Sequence, residues 1–585
     1  MSLRQTQYVS MEPGDTIAAC FARRVASTPA AVAYRQYDGA SEAWVDISWR
    51  DASLATARVR AGLASEKLGV GERVAIMLRN GPEWIYFDQA AHAEGLVVVP
   101  LFVDDRPENI AYILEHAGCR VLLVEGEEHL KKLAEIRDRM PTVKRIVCVK
   151  RCAADDPRVA SLADWAAAGD ERPPLTVHGD ALATIVYTSG TTGRPKGVML
   201  SHQNMLQNVK SALGVYEVYR DDLFLSFLPL SHMLERMAGY YLTMAAGATV
   251  AFARSIPQLA EDFKAVRPTV IVSVPRVFER LHGAMQSTLA EASTLQRRLF
   301  EVAHGVGWDL FEWRQKRGPW RASFLAWPIL RELVAKKLLD RLGGRLRLCI
   351  SGGAALNPQI AHTFIGLGLP ICQGYGLTEA SPVVSVNHLD RNDPASIGLA
   401  LPGVEVAFGE NNALLVKGPN VMLGYWKNDE ATAKVKSPTG WLDTGDQARL
   451  HDGFLYITGR IKDIIVLGNG EKVPPVDMEL AVLLDPLFDH VMIIGEGKPY
   501  LSALVVLDRE EAMKAGEIND KMLAARIGAQ LKQFPGYAQV RRVAIVDEPW
   551  TVDNGLLTPT YKLKRGPIME RFRAQVEELY RGRGA

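Results

Sequence analysis

The chain has 585 residues and a mass of 64.4 kDa, too long for one hydrophobic core, so two or more domains are expected. It is 48 % hydrophobic and 23 % charged, a globular balance that excludes disordered and fibrous classes. Its 68 Lys and Arg nearly cancel 67 Asp and Glu, which argues against nucleic acid as a partner and leaves only a local basic patch open.

In chain order, MSLRQTQYVSMEPGDT (1–16) holds no apolar run after its first basic residue and does not read as a signal peptide. RVAIML (73–78), LVVVPLF (96–102), RVLLVEG (120–126) and RIVCVK (145–150) are β-branched runs that predict buried strands. ENIAYILEHAG (108–118) predicts a helix among them, and the alternation points to α/β units on largely parallel sheets. LATIVY (182–187) reads as another buried strand and VMLSHQNMLQNV (198–209) as a helix, with a Ser/Thr/Gly-rich loop between. MAGYYLTMAAGATVAFA (237–253) is uncharged but interrupted by Gly239 and Gly247. It falls short of the roughly 20 residues of a bilayer span and predicts a buried helix, a turn at Ala246-Gly247 and a strand, so a soluble, cytoplasmic protein is expected.

Past about residue 400, GVEVAFGE, NALLVKG, ARLHDGFLYITG and KDIIVLGNG are short Gly- and Asn-punctuated strands, closer to a small barrel or hairpins than to crossovers. HVMIIGE, SALVVLD, a helix near 518–533 and VRRVAIVD then predict a separate small α/β domain, with the boundary near Gly459-Arg460-Ile461-Lys462. Of the six cysteines, Cys148 and Cys152 form the one close pair, and no histidine doublet completes a zinc site, so idle thiols are expected.

The loop YTSGTTGRPKG (187–197) lacks the Gly-Lys-Ser/Thr ending of a Walker A loop. Its chemistry still suits phosphate. Gly190 and Gly193 let backbone N–H groups approach an anion, Thr188, Ser189, Thr191 and Thr192 add hydroxyls, and Lys196 adds a positive charge. A strand-loop-helix setting would strengthen that reading.

YTSGTTGRPKG also resembles the signature phosphate loop of the adenylate-forming enzymes, a family that includes acyl-CoA synthetases, luciferases and adenylation domains of peptide synthetases. SGGAAL (351–356), QGYGLTEASP (373–382), GYWKNDEAT (424–432), WLDTGD (441–446), GRIKDIIVLGNGEKVPP (459–475) and LTPTYKLKR (557–565) resemble its other motifs, in order. The resemblance implies a large N-terminal domain (1–461) of two α/β subdomains and a small distorted β-barrel. A small mobile C-terminal α/β domain (462–585) would follow, hinged at Lys462.

It also implies site roles. The 187–197 loop would grip the outer phosphates of ATP, with Gly352, Gly353 and Ala354 beside the adenine and Tyr375, within Gln373-Gly374-Tyr375-Gly376, offering it a ring face. Thr378 would meet the α-phosphate and substrate carboxylate, Glu379 would bind Mg²⁺, and Asp446, with Arg460, would hold the ribose. Lys562 would be the catalytic lysine, and Gly468 and Gly470, flanking Asn469, would line a CoA tunnel. Spacing after Pro-Thr favours Lys562 over Lys564, although both would share a face of an extended segment.

LPLSHMLERM (228–237), VSVPRVFERLHGAM (272–285) and an extended segment over 286–345 resemble long-chain fatty-acyl-CoA synthetases, with His232 flanking the acyl site. The expected substrates are a fatty acid, ATP and CoA. Residues 313–347 hold ten Lys/Arg, two acids and three Trp. That composition more readily fits a solvated helix whose Trp residues pack inward, with a peripheral membrane surface as the alternative. A ligase passing acyl-AMP to a carrier protein usually has an extra segment, and none is visible between Glu379 and Lys462. A catalytically silent binding protein would be expected to have lost some of the motif residues. Whether the chain forms a homodimer is left open.

Overall fold

The structure, a computed structural model, describes residues 5–152, 155–166, 173–188, 194–460, 463–532, 534–558 and 561–581. One large sheet has the strand order Gly424–Tyr425, Lys196–Ser201, Leu182–Thr188, Val97–Pro100, Arg73–Met77, Cys119–Val124, Arg145–Cys148, Val159–Ser161. From Leu182–Thr188 to Val159–Ser161 neighbouring strands run parallel, and residues such as Val74, Ala75, Ile76 and Met77 are buried in succession. Helices cover both faces of such a sheet, which is why these strands read as unbroken apolar runs.

The second sheet has nine strands and runs from Leu399–Ala400 through Val383–Val386, Ile371–Gly376, Leu348–Ser351, Val270–Ser273, Leu223–Ser226, Thr249–Phe252 and Val32–Asp38 to Ala43–Ser48. The expected barrel takes the form of a four-stranded antiparallel sheet, ordered Glu405–Phe408, Ala413–Lys417, Leu442–His451, Phe454–Arg460. Farther along, Phe488–Ile494, Leu501–Leu507 and Val540–Ile545 form a three-stranded sheet. Its alternate residues serve two cores: Ile493 and Val505 pack with Leu523 and Ile527, while Met492 and Leu504 pack with Ile568 and Leu579.

One expectation fails beside the phosphate loop. Residues 198–201, expected to begin a helix, belong instead to the strand Lys196–Ser201, antiparallel to Leu182–Thr188 with Thr188 opposite Lys196. The helix starts only at His202, where the Ser201 hydroxyl and Asn204 side chain close a reciprocal cap. Val198 and Leu200 are buried on one face of the strand, and cross-strand pairing plus the cap overrode the helical look of the run. The loop therefore joins two paired strands and does not open onto a helix N-terminus.

Residues 237–253 do give a buried helical segment, a left-handed Gly247 and a strand, Thr249–Phe252. The helical part begins with a π-helical stretch, Arg236–Tyr241. Arg236 is fully buried and donates to Asp88 Oδ1 at 2.5 Å, Thr184 Oγ1 at 2.9 Å and, through Nε, Tyr241 Oη at 2.8 Å. Tyr240 and Tyr241 hydroxyls donate to Asp88 Oδ2 at 3.0 and 3.1 Å. Burial by itself would raise the Asp88 carboxyl, but Arg236 and His92 outweigh it and hold the group well below the usual carboxylate range. A charged, fully paired cluster thus fixes the π-helical stretch against helix Pro82–Ala93.

All six cysteines are free thiols and five are buried, as their scatter suggested.

Candidate active site

Asp446 sits at the end of the four-stranded sheet, where Leu442–His451 pairs with Phe454–Arg460 and Asp446 lies directly opposite Arg460. Its carboxylate is buried and accepts from Arg460 Nε at 2.9 Å and from the Tyr375 hydroxyl at 2.5 Å. Tyr375 comes from the end of Ile371–Gly376, so two sheets meet at this carboxylate. Lys562 reaches the same place from the C-terminal unit. The residue is exposed to solvent, although protein atoms surround its ammonium. Loss of water around it, then Arg460 nearby, lowers its ammonium pKa, and Asp446 opposes both. His232 completes the group: burial, then Lys562, pushes its imidazole down to about 4, so it is uncharged at neutral pH. His232 Nδ1 also accepts from Leu234 N–H at 3.3 Å, capping the short turn Met233–Glu235.

A second cluster lies where Gly424–Tyr425 pairs with Lys196–Ser201. The Lys196 ammonium stands 5.0 Å from the Tyr425 ring centroid, and the Tyr425 hydroxyl donates to Glu379 Oε1 at 2.8 Å. Glu379 follows Thr378 on a short 3₁₀ turn, Thr378–Ala380, and its backbone carbonyl accepts from Met422 N–H at 2.8 Å. Tyr425 was not singled out from sequence, although it lies within the GYWKNDEAT motif. Its bridging role depends on a strand pairing between residues more than 220 positions apart.

Several expected residues have other structural duties. Gly374 and Gly376 were expected to admit a ligand. A Cβ on Gly376 would instead meet the Pro382 carbonyl oxygen at 2.2 Å, and one on Gly374 would meet Ser385 O at 3.1 Å. Both glycines allow the antiparallel strand Val383–Val386 to pack closely. Gln373 is buried with its amide engaged on both sides, accepting from Leu356 N–H at 2.5 Å and donating to Ser396 O at 2.9 Å. Gly352 packs on Leu234 of the His232 segment, whereas Gly353, at φ +81°, and Ala354 are exposed. Gly468 and Gly470 belong to the turn between Ile465–Val466 and Lys472–Val473, and Gly468 N–H donates to Lys498 O at 2.8 Å. Ser189, Gly190, Thr191, Thr192 and Gly193 of the loop and the hinge residue Lys462 lie outside the described residues. Among the described residues no group of three or more His, Cys, Asp or Glu side chains could hold a metal by itself.

The two-sheet α/β body, the small antiparallel sheet and the lysine-bearing C-terminal unit thus meet around Asp446. The chain belongs to the AMP-binding enzyme family, which matches residues 21–426, and the C-terminal domain of AMP-binding enzymes matches residues 462–584. It is 32 % identical to long-chain-fatty-acid–CoA ligase FadD15 of Mycobacterium bovis, over 97 % of both chains. It is 30 % identical to the peroxisomal long chain acyl-CoA synthetase 6 of Arabidopsis thaliana, over 92 % of this chain and 82 % of that one. The fold is shared with the A domain of a carboxylic acid reductase from Segniliparus rugosus solved with AMP and a carboxylic acid, at a TM-score of 0.78 and 21 % identity. That match covers 97 % of this chain and 95 % of the other.

Proposed function

We propose that this protein is an ATP-dependent long-chain fatty acid–CoA ligase. A carboxylate oxygen of the fatty acid attacks the α-phosphorus of ATP, and the bond to the β-phosphate breaks to release pyrophosphate. The CoA thiolate then attacks the acyl carbon, and AMP leaves with the electrons of the broken C–O bond. The observation that carries the reading is that Asp446 pairs with Arg460 while Lys562 lies within electrostatic reach of both and of His232. The first step brings two anions together, so fixed positive charge serves it better than acid–base chemistry.

Lys562 bridges the carboxylate and the α-phosphate, Thr378 hydrogen-bonds both, and Asp446 accepts from the ribose hydroxyls with Arg460 supporting it. Tyr375 and the Gly352-Gly353-Ala354 stretch flank the adenine, and Thr188, Lys196 and the 189–193 loop hold the outer phosphates. Glu379 suits Mg²⁺: Tyr425 occupies one carboxylate oxygen, and magnesium usually takes one or two carboxylates together with substrate phosphates. Bound Mg²⁺ would neutralise charge on the departing pyrophosphate. Residues 462–585 turn about Lys462 between the two steps, and the Gly468-Asn469-Gly470 turn then lines the thiol tunnel. Neutral His232 flanks the acyl carboxyl end without adding a charge.

The test is pyrophosphate release and acyl-CoA formation over short-, medium- and long-chain acids and aryl acids, with and without CoA. Long-chain acids should give the highest kcat/KM, with acyl-CoA as product. Acyl-AMP that accumulates despite CoA would favour transfer to a carrier protein, and no pyrophosphate release with any acid would favour a binding protein.

We further infer that residues 313–347 meet an anionic membrane surface, from which a long-chain acid can be taken. Trp313, Trp320, Leu325, Ile329 and Leu333 are exposed, and the last three recur every fourth residue through the helical run Ala322–Ala335. Arg314, Lys316, Lys337 and Arg341 are exposed around them and make no ion pair among the described residues. Arg317 and Arg321 are tied to Glu312 and Asp309, and Trp327 packs inward on Gly307, so these contribute little to the surface. No helix among the described residues is long and apolar enough to cross a membrane. Changing Arg314, Lys316, Lys337 and Arg341 together to Gln should weaken sedimentation with phosphatidylserine vesicles by about 1 kcal/mol per residue. The difference should fade as salt shortens screening below about 8 Å. Unchanged binding at low salt would refute the surface.

A further inference from the structure

Lys562 has a long, flexible side chain, so its usefulness depends on how firmly its backbone is held. It lies near the tip of a hairpin whose arms meet at the Leu557–Leu563 bridge. Lys564 N–H donates to Leu556 O at 2.9 Å, Thr558 N–H to Lys562 O at 2.8 Å, and Lys562 N–H to Thr558 Oγ1 at 3.0 Å. Leu556 and Leu557 are buried in the core beside Trp550, which anchors one foot of the hairpin.

The other foot is Arg565, three residues past the lysine. Its guanidinium donates to Ile493 O at 3.0 Å and to Glu479 Oε1. Glu479 comes from helix Pro475–Val482, its side chain is only 8 % exposed, and Oε1 also accepts from Ile493 N–H at 2.7 Å. One buried carboxylate and one guanidinium therefore lock the hairpin foot, the helix and the end of strand Phe488–Ile494 into a single rigid corner. Among the described residues neither side chain bonds to Asp446, Arg460 or His232.

We propose that Glu479 and Arg565 are positioning residues for Lys562, holding its hairpin at the reach needed for adenylate formation. This rests on the reading of Lys562 as the adenylation lysine. A shift of about 1 Å in a reacting group can lower a rate about 10²-fold. The corner acts on the first half-reaction alone, because Lys562 serves only that step. Arginine is needed at 565 because it bonds a carboxylate and a carbonyl at once from one planar fork, which a lysine does less well.

The experiment compares Glu479→Gln, Arg565→Lys, Arg565→Ala and Lys562→Ala in the full chain. It measures pyrophosphate release from ATP and a fatty acid, and separately CoA transfer from pre-made acyl-AMP. Glu479→Gln keeps the shape and the bond to Ile493 while removing the ionisable carboxyl, which burial raises to about 7 against the pull of Arg565. It should slow pyrophosphate release about 10- to 100-fold, with CoA transfer within about twofold of wild type. Arg565→Lys should lose less than Arg565→Ala. Equal loss of both half-reactions in Glu479→Gln and Arg565→Lys would mean a general structural role and would overturn the proposal, as would unimpaired pyrophosphate release in both. An unimpaired Lys562→Ala would instead overturn the reading of Lys562 itself.

Discussion

Lys562→Ala should slow acyl-adenylate formation by about 10²–10³, the usual effect of removing one preorganised charge from a transition state. On the proposed reading that the C-terminal unit turns away before that step, CoA transfer from pre-made acyl-AMP should stay close to wild type. Lys564→Ala should do much less to either. The cleft supplies the reason for the asymmetry: Lys562 is within electrostatic reach of Arg460, Asp446 and His232, whereas the charges near Lys564 are Arg106 and Asp105. Loss of water and Arg460 both disfavour the Lys562 ammonium, so an anionic carboxylate and phosphate beside it would favour its charged form. Separate assays of the two half-reactions check this. Equal slowing of both steps would refute the assignment.

Asp88→Asn should cost about 3–5 kcal/mol of stability, because it strands the fully buried Arg236 without a counter-charge. Exchanging both partners, Asp88→Leu with Arg236→Met, should recover only part of the loss, since it removes the unpaired charge but leaves the buried Tyr240 and Tyr241 hydroxyls without their acceptor. Denaturant unfolding should be followed by intrinsic fluorescence and by a probe in the C-terminal unit, whose separate cores can unfold in their own transition. Asp88 and Arg236 fix the π-helical stretch that begins one residue after the His232-capped turn. A single-variant loss below about 1 kcal/mol would show that packing, not the ion pair, holds this stretch.

Strand-forming runs such as 73–78 and 120–126 were legible because burial on both faces demands continuous β-branched residues. The helix at 108–118 was legible from its spacing and its terminal Gly118, which adopts φ +70°. Residues 198–201 were misread because a short apolar run followed by polar residues fits either period, and only pairing with Leu182–Thr188 decides between them. Gly374 and Gly376 could be located, but not explained. Their cause is the backbone of Pro382 and Ser385, which returns beside them in the fold.

The sequence by itself determined the order of the motifs, the α/β character and the kinds of side chain available to an anionic substrate, because these follow from local pattern and residue chemistry. Only the tertiary structure decided that Asp446 is shared by Arg460 and Tyr375, that Tyr425 links Lys196 to Glu379, and that Arg565 is held by Glu479. Among these pairs only Asp446 and Arg460 lie close in the chain, through a tight hairpin; the others are 46 to 229 positions apart. Contacts over such separations form when sheets and cores close the chain on itself, and no local periodicity records which residues will then face each other.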